Sequence, residues 1–275
     1  MKKLASFILA IFVLVTIIAC DKDDQEPQTS PSCTIDLIDV GKADCIVIKT
    51  ASRVIMIDTG EQENLPSVIF YLSQNEITKI DTLILTHYDK DHIGGAYKII
   101  QDYNVETIIE SSFTSKDEEY KGYHELANSL GINLLKLTEN HSFSFDGCDF
   151  DIDIPKKSKY KDKNSNNSSL IISLECGDKR LLFCGDAMEA RLDEFIATSP
   201  GKYDFVKMPY HGNYLENLDE FLDAVKPDTV AITCSKKNPA SAEVLALLSE
   251  RKIVTYQTRF GTVSLSIKDN EIRYA

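Results

Sequence analysis

Two histidines and two aspartates fall within six consecutive positions, His87, Asp89, Asp91 and His92, directly after the apolar run TLILT and just before Gly94 and Gly95. Neutral imidazole and ionised carboxylate are standard ligands for divalent metals, and carboxylates crowded together without a cation repel one another. In an extended or looping backbone alternate side chains share a face, so His87, Asp89 and Asp91 converge, whereas on a helix Asp89 would point away from Asp91. The spacing therefore predicts a strand ending at Thr86, a ligand-bearing loop, and a close glycine turn before the next helix.

The elements that must hold this cluster follow from the patterning around it. TIDLIDV, DCIVIKT and RVIMIDTG read as short aliphatic and β-branched strands, LPSVIFYLSQNE and AYKIIQDYN as amphipathic helices on either side of TLILTH. The second half repeats the theme. SFSFDGCDFDIDI, SLIISLECGDKRLLFCGD and FVKMPYHG read as strands and turns, and MEARLDEFIATS, NLDEFLDAV and SAEVLALLSER as helices. Two β-rich halves with helices outside predict an α/β chain with two sheets packed face to face between helical layers.

HYDKDH followed by IGG resembles the HxHxDH signature of the metallo-β-lactamase superfamily, with aspartate at its second histidine. That variant is similar to the hydrolase domain of ComEC-type competence proteins and their free-standing relatives. The resemblance continues in order through IDLIDVGKADCIVI with Asp44, VIMIDTG with Asp58, NNSSLIISL, LLFCGD with Asp186, FVKMPYHG with His211, and the closing PASAEVLALLSERKIVTYQTRFGTVSLSI.

The resemblance implies an αββα four-layer metallo-β-lactamase-type sandwich over residues 33–275, with two divalent metal ions, zinc or manganese with magnesium possible, between the sheet edges. His87 and Asp89 would bind one ion, Asp91, His92 and His211 the other, and Asp186 both. Asp58 would support the loop presenting Asp91 and His92, with a turn cap as its alternative; Asp44 is either a site neighbour or a turn residue. Asp91, Asp186 and Tyr210 are the catalytic candidates. Tyr210 stands where a second histidine is usual, and Asn238 where a late histidine is often found. The third metal histidine has no counterpart, since His124 and His141 both read as surface residues, and Asn167 and Ser169 lie near its place.

The formal charge of −13 over 275 residues excludes a general polyanion binder, so an anionic substrate needs a local basic patch or a metal. Two divalent ions held by Asp89, Asp91 and Asp186 would keep a small positive charge for such a substrate. The run PKKSKYKDKNSNNSS carries Lys156, Lys157, Lys159, Lys161 and Lys163, a phosphate-guiding surface or else a solvated loop. The reading is a metal-dependent hydrolase, with phosphodiesters or nucleic acid favoured as substrate. A lactone, thioester or β-lactam hydrolase is the alternative, and a catalytically silent binding protein a third. No GxSxG or P-loop pattern competes.

Residues 1–19 carry Lys2, Lys3 and a short apolar segment, as a signal peptide does. IIAC followed by DKDDQEPQTSPS resembles a bacterial lipoprotein signal that leaves Cys20 lipidated and 20–32 as a flexible tether, which would place the domain in the cell envelope, membrane-anchored and facing out of the cytoplasm. An uncleaved anchor helix is the alternative. No CxxC pair occurs among the other cysteines, and Cys45, Cys176, Cys184 and Cys234 read as small buried hydrophobes, although an exported location permits disulfides.

Overall fold

The computed structural model describes residues 31–162 and 164–275. The leader, Cys20 and Lys163 lie outside the described residues. Two sheets are built by the same plan, an antiparallel meander that continues into parallel strands through helical crossovers. In the first, β1 (Cys33–Leu37), β2 (Ile46–Lys49) and β3 (Val54–Ile57) form the meander. Helix α1 (Leu65–Gln74) leads to the parallel strand β4 (Lys79–Leu85); α2 (Lys90–Ile93) and α3 (Ala96–Asp102) lead to β5 (Asn104–Ser111), and α4 (Glu118–Leu130) to β6 (Asn133–Leu137).

The second sheet begins with the meander β7 (His141–Phe145), β8 (Cys148–Asp153), β9 (Ile171–Cys176) and β10 (Lys179–Phe183). It continues in parallel through α5 (Glu189–Ile196) to β11 (Phe205–Lys207), α6 (Leu218–Val225) to β12 (Thr229–Ile232), and α7 (Ala242–Glu250) to β13 (Val254–Gln257). The chain then returns to the first sheet, where β14 (Val263–Lys268) pairs with β1 and with β15 (Glu271–Tyr274). The sheet orders are β15-β14-β1-β2-β3-β4-β5-β6 and β13-β12-β11-β10-β9-β8-β7.

Three separate cores show why the layers stack as they do. One lies between the sheets, where Ile35, Ile48, Ile84, Phe150, Ile172 and Phe183 meet. A second seats α1, α3 and α4 on the first sheet through Val68, Leu72, Ile99, Tyr123 and Ala127. The third seats α5, α6 and α7 on the second sheet through Leu192, Phe221, Leu222 and Val244. Strands covered on both faces are largely apolar, and β4 is buried from Ile80 to Leu85, with Asp81 paired to Arg53 and Lys79 at its start. This is the αββα order expected from the patterning.

The cysteines depart from expectation at one place. Cys148 and Cys176 face each other directly across β8 and β9, with Cα atoms 4.3 Å apart, and form a disulfide. Cys176 is therefore half of a bridge rather than a small buried hydrophobe, because the register sets it opposite a second thiol. Cys45, Cys184 and Cys234 are free and buried, as is Cys33. Among the described residues no helix is long and apolar enough to cross a membrane.

Candidate metal centre

The carboxyl ends of the parallel strands meet at one edge of the sandwich, and every candidate ligand sits there. Asp58 follows β3 in left-handed backbone, φ 56°, with its amide bonded to Ile84 O at 2.8 Å. Its Oδ1 accepts from the Thr86 amide at 2.8 Å and its Oδ2 from the Thr86 hydroxyl at 2.7 Å. β4 ends one residue before Thr86. His87 follows, and Asp89 opens the single-turn helix α2, which carries Asp91 and His92.

The extended spacing expected for His87, Asp89 and Asp91 is thus interrupted by a helical turn, and the aspartates separate as a helix requires. Asp89 Oδ2 lies 3.7 Å from His87 Nε2, and Asp91 Oδ2 lies 3.3 Å from His211 Nε2. The cause is the glycine pair. A Cβ on Gly94 would lie 2.5 Å from Lys90 O and 2.7 Å from Gln62 N, and one on Gly95 2.7 Å from Thr59 O. Without side chains α2 packs onto the loop after β3, where the Thr59 amide bonds His92 O at 2.7 Å.

The three imidazoles are held in one tautomer. His92 Nδ1 is 2.7 Å from Asp58 Oδ2, and because a carboxylate only accepts, the proton is on Nδ1. His211 Nδ1 is 3.0 Å from the Thr233 carbonyl, with the same consequence. The Thr86 hydroxyl gives its hydrogen to Asp58 and accepts from His87 Nδ1 at 3.1 Å. Each ring therefore turns an Nε2 lone pair inward.

At that focus Asp186 Oδ1 lies 3.3 Å from His92 Nε2 and 3.2 Å from His211 Nε2. These atoms and His87 Nε2 are buried without a hydrogen-bond partner. Acceptors this close need a positive centre between them. Ligand atoms of Asp91, His92, Asp186 and His211 all lie within 4.8 Å of one another. A tetrahedral ion with bonds of about 2.1 Å separates its ligands by about 3.4 Å, so the donor set fits a divalent metal.

Charge tells the same story. Burial opposes an imidazolium at His92, yet Asp186 and Asp58 outweigh it and raise the ring well above the usual histidine range. His211 is raised likewise, burial being overcome by Asp186 and Asp91. Burial would favour a neutral Asp186, but His211 and His92 hold it well below the usual carboxylate range. In each case the balance of charge calls for a positive centre shared among these groups.

Asp44 is a site neighbour rather than a turn residue. It is buried, its Oδ1 accepts from the Thr233 hydroxyl at 2.6 Å, and its Oδ2 pairs with the ammonium of Lys207. Despite burial its carboxyl is lowered by Lys207, His211 and His92. Sequence reasoning passed over Lys207, although a lysine inside the apolar strand FVK was the available signal. Thr233 carried none.

The other candidates divide. Ser169 Oγ accepts from the Asp186 amide at 3.2 Å and so shapes the loop that presents it. Asn167 is turned away, its Oδ1 bonded to the Arg191 amide and its Nδ2 to Asp162 O. The neighbouring Asn166 instead reaches Asp186 Oδ2 at 3.4 Å, because the 3-10 turn Asn166–Ser168 rotates it inward. Tyr210 and His211 both adopt left-handed backbone. The Tyr210 phenol is raised by burial and then by Asp186 and Asp91, and Lys42 Nζ stands 5.6 Å from its ring centre.

Lys156 and Lys157 are engaged with Glu194. Lys159 and Lys161 are exposed beside a cleft of about 640 Å³ that Asn167 and Glu189 also line. His124 is only partly at the surface, its side chain 20% exposed and its Nε2 3.0 Å from buried Glu110. His141 is on β7 at partial exposure, and Asn238 is exposed.

A four-layer αββα sandwich with histidines and aspartates gathered where the strand ends meet defines a metallohydrolase class, and a family description, Metallo-beta-lactamase superfamily, matches residues 38–235. The chain belongs to that superfamily. Among curated relatives it is 26% identical to ComE operon protein 3 of Bacillus subtilis, over 88% of this chain and 34% of that protein. It is 28% identical to Recombination protein 2 of Haemophilus influenzae, over 77% of this chain and 25% of that protein. The chain thus spans a quarter to a third of the length of these relatives. Among solved structures it resembles the metallo-beta-lactamase fold protein YhfI of Bacillus subtilis, TM-score 0.57 at 11% identity, covering 90% of this chain and 100% of that one, a likeness of fold.

Proposed function

We propose that the protein is a metal-dependent phosphodiesterase, acting on nucleic acid or another phosphodiester polymer in the cell envelope. The observation that carries the reading is the donor set: inward Nε2 atoms of His87, His92 and His211 with the carboxylates of Asp89, Asp91 and Asp186. His87 and Asp89, with Asp186, would hold one ion, and Asp91, His92 and His211, again with Asp186, the other. An aspartate where the superfamily pattern has a second histidine favours harder ions, manganese or magnesium beside zinc.

Divalent ions held there would make water a nucleophile near neutral pH and stabilise negative charge developing on the attacked group. The chain's own residues do the rest. Asp58 and Thr233 fix ring orientation by holding the Nδ1 protons. Tyr210, kept protonated by burial and by the carboxylates near it, is the candidate donor to the leaving oxygen. Lys159 and Lys161 raise the local concentration of an anionic substrate, while Lys157 is partly spent on the Glu194 carboxylate and the Lys156 ammonium reaches the Glu194 carbonyl. Lipidated Cys20 would supply the membrane attachment.

The test is hydrolysis by the purified domain, loaded in turn with zinc, manganese and magnesium, of a labelled single-stranded oligonucleotide, bis-nitrophenyl phosphate, nitrocefin and a lactone. Cleavage of both phosphodiesters is expected. Cleavage of nitrocefin or the lactone with neither phosphodiester touched would replace this reading with the lactam or lactone hydrolase.

A further inference from the structure

Lysine is almost never fully buried unless paired. Lys207, the last residue of β11, has no exposed surface. Its Nζ donates to Gly185 O at 3.0 Å, pairs with Asp44 Oδ2, and stands 3.9 Å from Asp186 Oδ1. It contacts no imidazole, yet each of its contacts leads to a candidate ligand. Gly185 precedes Asp186. Asp44 accepts from the Thr233 hydroxyl, and both the hydroxyl and the carbonyl of Thr233 lie 3.0 Å from His211 Nδ1.

Resting on the metal-centre reading above, we propose that Lys207 is a positioning residue of that centre: it fastens the Asp186 loop through the Gly185 carbonyl and the His211 ring through Asp44 and Thr233. The arrangement also ties the two sheets together. Asp44 lies in the β1–β2 loop of the first sheet, and Lys207, Thr233 and Gly185 at strand ends of the second. One ammonium thus sets the distance between Asp91 and His92 on one side and Asp186 and His211 on the other.

A mere counter-charge for Asp44 would do less, and a double variant separates the two roles. Asp44→Asn with Lys207→Met removes both charges together, and the introduced carboxamide keeps an acceptor for the Thr233 hydroxyl. Measured against Asp44→Asn alone, which accounts for the lost carboxylate 3.5 Å from His211 Nδ1, the folded double variant lacks only the tie to Gly185 and the positive charge beside Asp186. Cobalt(II) is the probe, read by its affinity and its visible d–d spectrum, with thermal melting as the check on folding. Positioning predicts that Lys207→Met weakens cobalt binding about 10–100-fold, the range for groups that orient metal ligands. It further predicts that the double variant melts near the wild type yet still binds about 10-fold more weakly than Asp44→Asn, with an altered spectrum.

Where Lys207→Met does not fold, the double variant alone decides. A double variant with the affinity and spectrum of the wild type or of Asp44→Asn overturns the proposal and leaves Lys207 as the partner of Asp44. Wild-type protein that takes up no cobalt overturns the underlying reading, and this proposal with it.

Discussion

Asp58→Asn is the most informative single change, because its effect follows from which atom carries which proton. The Asp58 Oδ1 atom accepts from the Thr86 amide, and an asparagine Oδ1 can keep that bond. Asparagine also tolerates the left-handed backbone found here, φ 56°, so the fold has no conformational reason to fail. The other oxygen becomes an NH2 that faces His92 Nδ1 at 2.7 Å and the Thr86 hydroxyl at 2.7 Å. Two donors cannot face each other. The ring moves its proton to Nε2, the atom aimed at Asp186, and the lone pair meant for a metal disappears.

Loss of a group that orients a metal-binding histidine costs about 10–100-fold in affinity, equivalent to about 1.4–2.7 kcal/mol. Competition against a chromogenic chelator measures that loss for zinc and manganese, and long-range nitrogen–proton NMR of the imidazoles reports the tautomer. Expected together are weakened binding and, in the metal-free variant, a neutral His92 protonated on Nε2 alone, where the wild-type ring keeps its proton on Nδ1. Metal affinity within twofold of wild type, with Nδ1 still protonated, would refute the reasoning.

Three further outcomes are expected. Asp186→Ala, which removes the oxygen 3.2–3.3 Å from two ring nitrogens, should lower metal content at both proposed positions, whereas His124→Ala, bonded to Glu110 away from the centre, should leave it unchanged by elemental analysis. Metal-free protein should lose thermal stability as pH rises above about 6.5, because the raised His92 and His211 stabilise the fold only while protonated; the lowered Asp44, Asp91 and Asp186 make it lose stability again below about pH 4. A metal-free melting temperature that climbs from pH 6 to 9 would contradict this. Cys20→Ala should abolish incorporation of radiolabelled palmitate, and label that persists would remove the lipoprotein reading.

What the sequence disclosed was what lies close along the chain. His87, Asp89, Asp91 and His92 declare themselves because a strand end, four ligand-type side chains and two glycines are contiguous. Helical layers outside two sheets are readable because burial on two faces forces apolar runs of different period. The helical turn of α2 was missed because it follows from Gly94 and Gly95 packing on the loop after β3, a contact that the local pattern does not contain. Asp44 and Thr233 bond across 189 positions, so nothing near either announces the other. Asn166 and Asn167 are indistinguishable as letters, and a single 3-10 turn decides which one faces Asp186. The bridge between Cys148 and Cys176 depends on the register of β8 against β9.

The direction of β1 has a consequence for how the molecule can stand on a surface. The strand enters at Cys33 and delivers its far end to the loop that carries Asp44. Its five residues span about 17 Å at the usual rise. The hairpin turns at Gly147 and Gly177 crowd the entering side, where Pro31 comes within 2.9 Å of the position a Cβ on Gly147 would take. Anything that holds the protein by the residues before Pro31 therefore grips it at its base, with the histidines on the opposite rim. An anchorage at Cys20 would attach the domain on the side away from that rim, so the attachment itself leaves the rim uncovered.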